Sequence, residues 1–374
     1  MFRFRKDGKF GILLFGDIHV HSDYNGEGRL KFNDMQKLMV ASLDEYKPDL
    51  CVLLGDILSA GFCKDDPEGF RQGLKDICKP MFERNIPVAA IMGNHEHDAD
   101  IDDMLVEAYG DAGILLRNDD PQTGSNADYK EILYGSDGET PKAVLWFLDS
   151  NSLYPDQNIS KYDIVHPDQI KWFEDESAKL KELNGGEPVP AYIFQHIPVC
   201  EEYKLLRKPK FYELPVSVKA EITKDKTRYV GKKDTAGYVG ESPCAPDING
   251  GQFESWKKVG GVVAAFFGHD HLNDFSGYVD GIFLAQHKTA GFGCYTDGCR
   301  SCVRYVEIDE KTPDKFKHEL KHFKEFGLKC ECLGPVFKRL SDRQSFWLNV
   351  TLKPLGGIAA VSLIAYLIIK FLIK

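Results

Sequence analysis

The chain has no internal repeat and no low-complexity tract, which excludes solenoid arrays and compositionally biased disordered arms. It also lacks an excess of basic residues. Its 47 Lys and Arg face 57 Asp and Glu, and the net charge of −10 argues against nucleic acid as a natural partner. Ahead of Asp17 the uninterrupted apolar run is only Ile12-Leu13-Leu14-Phe15, too short for the core of a signal peptide. The ten cysteines lack the two C-x2-C units of a zinc ribbon. A looser cluster, Cys294, Cys299 and Cys302 with Cys330 and Cys332, leaves a structural zinc site and a set of reduced thiols both open.

What the sequence has is one grammar used repeatedly. An apolar run of strand length, usually followed by Gly, ends in side chains able to bind a metal. GILLFGDIHVH ends in Asp17, His19 and His21, and LCVLLGDILSAG in Asp56. PVAAIMGNHEHD ends in Asn94, His95 and His97, AYIFQHIPVCEEY in His196, and VVAAFFGHDHLND in His269 and His271. Such runs read as core strands of an α/β protein, whose carboxyl ends carry the chemistry. Any one His-x-His pair reads equally well as solvated loop residues. The whole ordered set points to a metal centre. Oxygen and imidazole donors without thiolates suit Mn, Fe or Zn.

Strands are predicted near 9–15, 50–54, 87–92, 143–148, 191–195, 262–267, 282–286 and 303–308. Helices are predicted near 34–46, 68–85, 100–110 and 168–183, the last starting after Pro167 and stopping at Gly185-Gly186. Strand–helix alternation implies parallel βαβ units, and the more closely spaced later strands imply antiparallel pairing. Because the metal-capable motifs run from Asp17 to His271, a domain boundary between them would split the site. One catalytic domain over 1–310 follows. Residues 205–252 have little periodicity and many Gly, Pro and Lys, and are expected to form a substrate-selecting insert.

The order GDIH, GD, GNHE, QH, GHDH resembles the calcineurin-like metallophosphoesterase superfamily. IPVAAIMGNHE, FLDSNS, HPDQIKWFE, FQHIPVCEEY, GHDHLNDFSG and TAGFGCYTDGCRSCVRYVEI are similar to one branch of it. That branch is the purple-acid-phosphatase-like phosphoesterases of fungi and plants that lack an N-terminal β-domain. The resemblance implies an α/β four-layer sandwich, two mixed β-sheets flanked by helices. It implies two divalent or trivalent transition-metal ions sharing a hydroxide that attacks phosphorus. Asp17, His19 and His271 would hold one ion, Asn94, His196 and His269 the other, with Asp56 bridging. His95 would protonate the leaving oxygen of a phosphate monoester, small molecule or phosphoprotein. Diesters or pyrophosphates on nucleotides or lipids, and a non-catalytic metal-binding role, are the alternatives. His21 and His97 are candidates for lining the substrate pocket, and Glu201, Asn273 and Asp274 for orienting the ligating imidazoles. One departure is plain: where true purple acid phosphatases carry a tyrosine ligand, three residues after Asp56, this chain has Ser59.

Residues 355–369 carry no charge, and a helix over 355–373 would be about 28 Å long, near a bilayer core. A transmembrane helix at 354–374 is therefore expected to anchor the chain in lipid, a buried core helix being the alternative. Residues 311–353 hold ten Lys and Arg against five Asp and Glu. Such a basic juxtamembrane segment keeps its side cytoplasmic and suits anionic head groups.

Overall fold

The computed structural model of the protein describes residues 1–220, 227–334 and 338. The apolar runs assemble into two mixed sheets. In the smaller, Lys9–Phe15, Leu50–Leu53 and Val88–Ala90 run parallel, connected through helices at Arg29–Tyr46, Ala60–Asp65 and Pro67–Phe82. Parallel neighbours need such crossovers, because the chain must return to the starting end of the sheet before it pairs again. In the larger, Pro141–Leu148, Ala191–Gln195, Val262–Phe267 and Ile282–Gln286 are parallel. Strands with no helix between them reverse direction. Ser276–Val279 pairs antiparallel with Ile282–Gln286, and Tyr129–Tyr134 antiparallel with Pro141–Leu148.

Side-chain alternation divides the interior in two. Tyr192, Phe194 and Phe147 turn toward the smaller sheet and its Phe10 and Val303. Trp146, Ile193 and Phe267 turn outward against Trp172 and Phe173 of the helix Pro167–Leu183 and Trp256 of the helix Gln252–Val259. Beyond the smaller sheet lie Leu38 and Leu43 of the first long helix and Leu74 and Ile77 of Pro67–Phe82. The layers are thus helix, sheet, sheet, helix. Fully burying one Phe or Leu contributes about 1.5–3 kcal/mol, so both faces of each sheet resist any slip that would move the strand ends.

Pro167 begins its helix as expected, and the His166 N–H donates to Gln169 Oε1 at 2.7 Å across the first turn. The sheet continues beyond the expected domain boundary at 310. Phe316–His322 pairs along the whole of Cys302–Ile308, and Phe323 is fully buried. The first part of the basic segment is therefore an edge strand of the catalytic fold, its charges on the solvent side as an edge requires. The rest of that segment, apart from the residues named above, and the anchor expected at 354–374 lie outside the described residues. Among the described residues no helix is long and apolar enough to cross a membrane.

Candidate metal centre

Five parallel strands carry their metal-capable residues at the carboxyl ends, and both sheets bring those ends together. The turns are sharp. Asp17, His19, Asp56 and His269 have φ of 52°, 47°, 53° and 73°. This left-handed region costs most side chains about 1–3 kcal/mol and clusters at functional sites. Glycine closes the runs for a related reason. A Cβ on Gly93 would lie 2.3 Å from Asp56 Oδ1, and one on Gly55 2.7 Å from His196 Nδ1. The backbone passes too close to the ligands for any other residue.

Two overlapping donor groups result. Asp17, His19, Asp56 and His271 each place a ligand atom within 4.8 Å of the others, and so do Asp56, His196 and His269. Asp56 belongs to both groups. His19 Nε2 lies 3.0 Å from His271 Nε2 and 3.5 Å from Asp56 Oδ2. His196 Nε2 lies 3.2 Å from both Asp56 Oδ2 and Asn94 Oδ1. The fit to cations is chemical as well as geometric. His269 Nε2 is buried with no hydrogen-bond partner, a state that costs about 1–3 kcal/mol and that a metal ion would relieve.

The titration behaviour agrees. Burial holds His19 down at about 3 and His271 at about 4, so both are neutral, as ligation requires. Burial also opposes charge on His196, but Asp56 and Asp17 outweigh it and raise that imidazole to about 10. Binding a dication would release this proton. Burial pushes Asp17 up, and the Asp56 charge adds to it. For Asp56 the charge and hydrogen bond of His196 outweigh burial, and its carboxyl falls.

The imidazoles are oriented by backbone carbonyls. His196 Nδ1 bonds Leu54 O at 2.7 Å and His271 Nδ1 bonds Tyr295 O at 2.9 Å, which leaves each Nε2 for the metal side. Glu201, Asn273 and Asp274, expected in that role, do other work. Glu201 accepts from Asn249, and Asn273 accepts from the backbone of Gly240 and Glu241 while donating to Asp270. Asp274 pairs with Lys288 at 3.0 Å and His322 at 3.2 Å. His97 does not line a substrate pocket, because Asp102 and Asp149 occupy both its ring nitrogens at 2.8 and 3.0 Å. His21 is exposed and lines a cavity of about 260 Å³ beside His19, with Tyr24, Lys31, Phe32 and Phe292.

His95 stands at the mouth of the site, half exposed, its ring 5.4 Å from that of His19. Its N–H donates to Asp56 Oδ1, and its Nδ1 bonds Asp98 at 2.6 Å. Burial pulls the imidazole down, but Asp56 and Asp98 more than compensate and raise it. The expected insert forms, among its described residues, a small sheet of Leu206–Arg207, Arg228–Gly231 and Val218–Lys219. Its 236–244 stretch wraps the metal turn, with Cys244 N donating to Asp270 and Glu241 accepting from Leu272 N.

Two positioning residues escaped sequence reasoning. Glu96 is fully buried and accepts from the backbone N–H of Asp56, Ile57 and Gly93 at 2.8, 2.9 and 2.8 Å. It clamps two metal turns together; its place in GNHE was the available signal. Tyr295 stacks on His271, with ring centroids 4.0 Å apart, and its hydroxyl donates to Glu241. Nothing in its local sequence marks it.

Fold and site together define a dinuclear metallophosphoesterase scaffold. The chain belongs to the calcineurin-like phosphoesterase family, which matches residues 10–273. It is 28% identical over 350 residues to probable inactive purple acid phosphatase 14 of Arabidopsis thaliana, covering 83% of this chain and 78% of that one. Phosphatase DCR2 of Saccharomyces cerevisiae is 25% identical over 291 residues, covering 72% and 45%. Among solved structures, a dimetal phosphatase from Danio rerio is similar with a TM-score of 0.46 and 13% identity, covering 84% of this chain and 99% of that one. Family members bind two divalent metal ions.

Proposed function

We propose that this protein is a dinuclear metal-dependent phosphomonoesterase, held at a membrane by its C-terminal segment with the catalytic domain in the cytoplasm. The observation that carries the enzymatic part is the pair of donor groups sharing Asp56, with a partnerless His269 Nε2 inside and His95 at the mouth. Asp17, His19 and His271 would hold one ion, Asn94, His196 and His269 the other. When bound, such a pair supplies Lewis acidity toward phosphate and lowers the pKa of water.

The chain's own residues do the rest. Asp56, shared by both donor groups, would offset the charge of both cations, and Glu96 fixes the backbone that carries it. His95, its Nδ1 tied to Asp98, keeps the Nε2 proton to deliver to the leaving oxygen, and its raised pKa keeps that proton near neutral pH. The cavity beside His19 offers aromatic walls and one ammonium, Lys31, to the alcohol portion of an ester. The tether rests on the sequence of 355–373 alone.

Comparing turnover of an aryl phosphate monoester with the matching diester tests the substrate class. A faster diester would replace the monoester reading. Asp56→Asn should abolish turnover and reduce metal content; unchanged turnover would end the dinuclear reading. The Arabidopsis thaliana relatives, named as probable inactive purple acid phosphatases, favour one rival, a binding protein without activity. Two bound metals with no turnover on any ester would select it. Removing 354–374 should release an active soluble enzyme; an inactive aggregate would mean that 355–373 packs into the core.

A further inference from the structure

Away from the catalytic ligands, the segment following the edge strand folds back onto the first long helix. There Asp34 is fully buried, and its Oδ2 accepts the backbone N–H of Glu331 at 2.6 Å and of Cys332 at 2.8 Å. Its Oδ1 takes Lys37 Nζ at 2.8 Å from the rim. Asp34, Cys330 and Cys332 place their ligand atoms within 4.8 Å of one another. Cys299, from the turn Gly298–Arg300, has its thiol against that of Cys330. Two sulfurs and one carboxylate, from two distant parts of the chain, therefore meet at one point, with the Cys299 thiol beside that of Cys330.

The spacing is informative. Cys330 Sγ and Cys332 Sγ are 3.8 Å apart, far longer than a disulfide of about 2.05 Å. Two thiolates each about 2.3 Å from a tetrahedral zinc lie about 3.8 Å apart, the edge of that tetrahedron. The donor types differ from those of the catalytic centre. Soft thiolates select zinc-like ions, whereas the imidazole and carboxylate set accepts harder ones.

We infer that Cys299, Cys330, Cys332 and Asp34 form a structural site for a thiophilic divalent cation of the zinc class, separate from the dinuclear centre. Binding would release the thiol protons to solvent and tie three segments together: the helix Arg29–Tyr46, the 294–302 loop and the chain after Phe323. The 294–302 loop holds Tyr295, whose carbonyl orients His271. The site thus braces a metal ligand from outside, through a loop with little regular structure of its own.

The test uses cobalt as a spectroscopic stand-in, on the full chain in detergent. Metal-loaded protein should show an ultraviolet thiolate-to-cobalt charge-transfer band and about one cobalt beyond the dinuclear pair, since a structural site binds its ion as part of the fold. Cys330→Ser/Cys332→Ser should lose that band and that one equivalent, while Cys294→Ser, near His19, should keep both. In the unaltered protein, bound zinc should protect Cys299, Cys330 and Cys332 from N-ethylmaleimide, read by peptide mass. This arm needs no variant to fold. A band that survives in the double variant, equal labelling with and without zinc, or a disulfide linking any two of these cysteines in the metal-loaded protein would overturn the inference.

Discussion

Glu96 is where fold stability and metal affinity should prove to be one quantity. Its carboxylate is the acceptor for three buried N–H groups, two of them on the turn that presents Asp56 and one on the turn that presents Asn94. Each buried donor left without a partner costs about 1–3 kcal/mol, so Glu96→Ala should cost about 3–9 kcal/mol, less whatever entering water restores. Glu96→Gln keeps one oxygen, and should cost about 1–3 kcal/mol. Loss of charge adds little, because burial and then Asp56 already raise this carboxyl above its ordinary value. Both variants should also bind metal about 10–100-fold more weakly, as supporting contacts to ligands typically do. Denaturant unfolding of the metal-loaded protein gives the first quantity, and competition with a chromophoric chelator the second. If Glu96→Ala unfolds within about 0.5 kcal/mol of the parent, as an inert surface change would, and keeps its metal affinity, the clamp does not exist.

Three further expectations follow from named contacts. His95→Ala should retain both metals yet slow hydrolysis about 10²–10⁴-fold; the loss should shrink for dinitrophenyl esters, whose leaving groups need no proton, and equal slowing of alkyl esters would contradict the assignment. His97→Gln should cost about 3–5 kcal/mol by stranding buried Asp149. Burial opposes charge on His97, but Asp149 and Asp102 raise it to about 11. Its stabilisation is therefore complete below about pH 6.5, its unfolded value, and lost as pH rises through about 11, so parent and variant should converge in unfolding experiments at high pH. With exposed Ser59 in place of a tyrosine ligand, the oxidised iron-loaded protein should lack an intense visible tyrosinate band; a violet protein would mean that another tyrosine reaches the metal.

Much of the fold was legible because most of its strands bury both faces and read as continuous apolar runs. All eight predicted strands and all four predicted helices lie where the structure has them, within a few residues. Elements that escaped are those whose burial is one-sided or borrowed. Tyr129–Tyr134 buries only Tyr129 and Leu133 and leaves the rest half-buried, and Phe316–His322 is an edge strand rich in Lys and His. The latter's charges read as a membrane-facing segment because an edge strand and a basic linker share that composition. The metal-capable residues were legible because type, order and strand end coincide. The orienting partners were not, since a backbone carbonyl such as Leu54 O or Tyr295 O has no side-chain signature.

The left-handed turns also act as a filter on evolution. Asp17, His19, Asp56 and His269 occupy backbone conformations that Asn, Asp and His tolerate far better than Cys or Glu. A lineage could trade one ligand for another only within that short alphabet without first rebuilding the loop. The set of metals such a protein can come to use is then limited by peptide geometry before any metal is met. Conversion to a thiolate centre would have to begin at Asn94, His196 or His271, whose φ angles impose no such restriction.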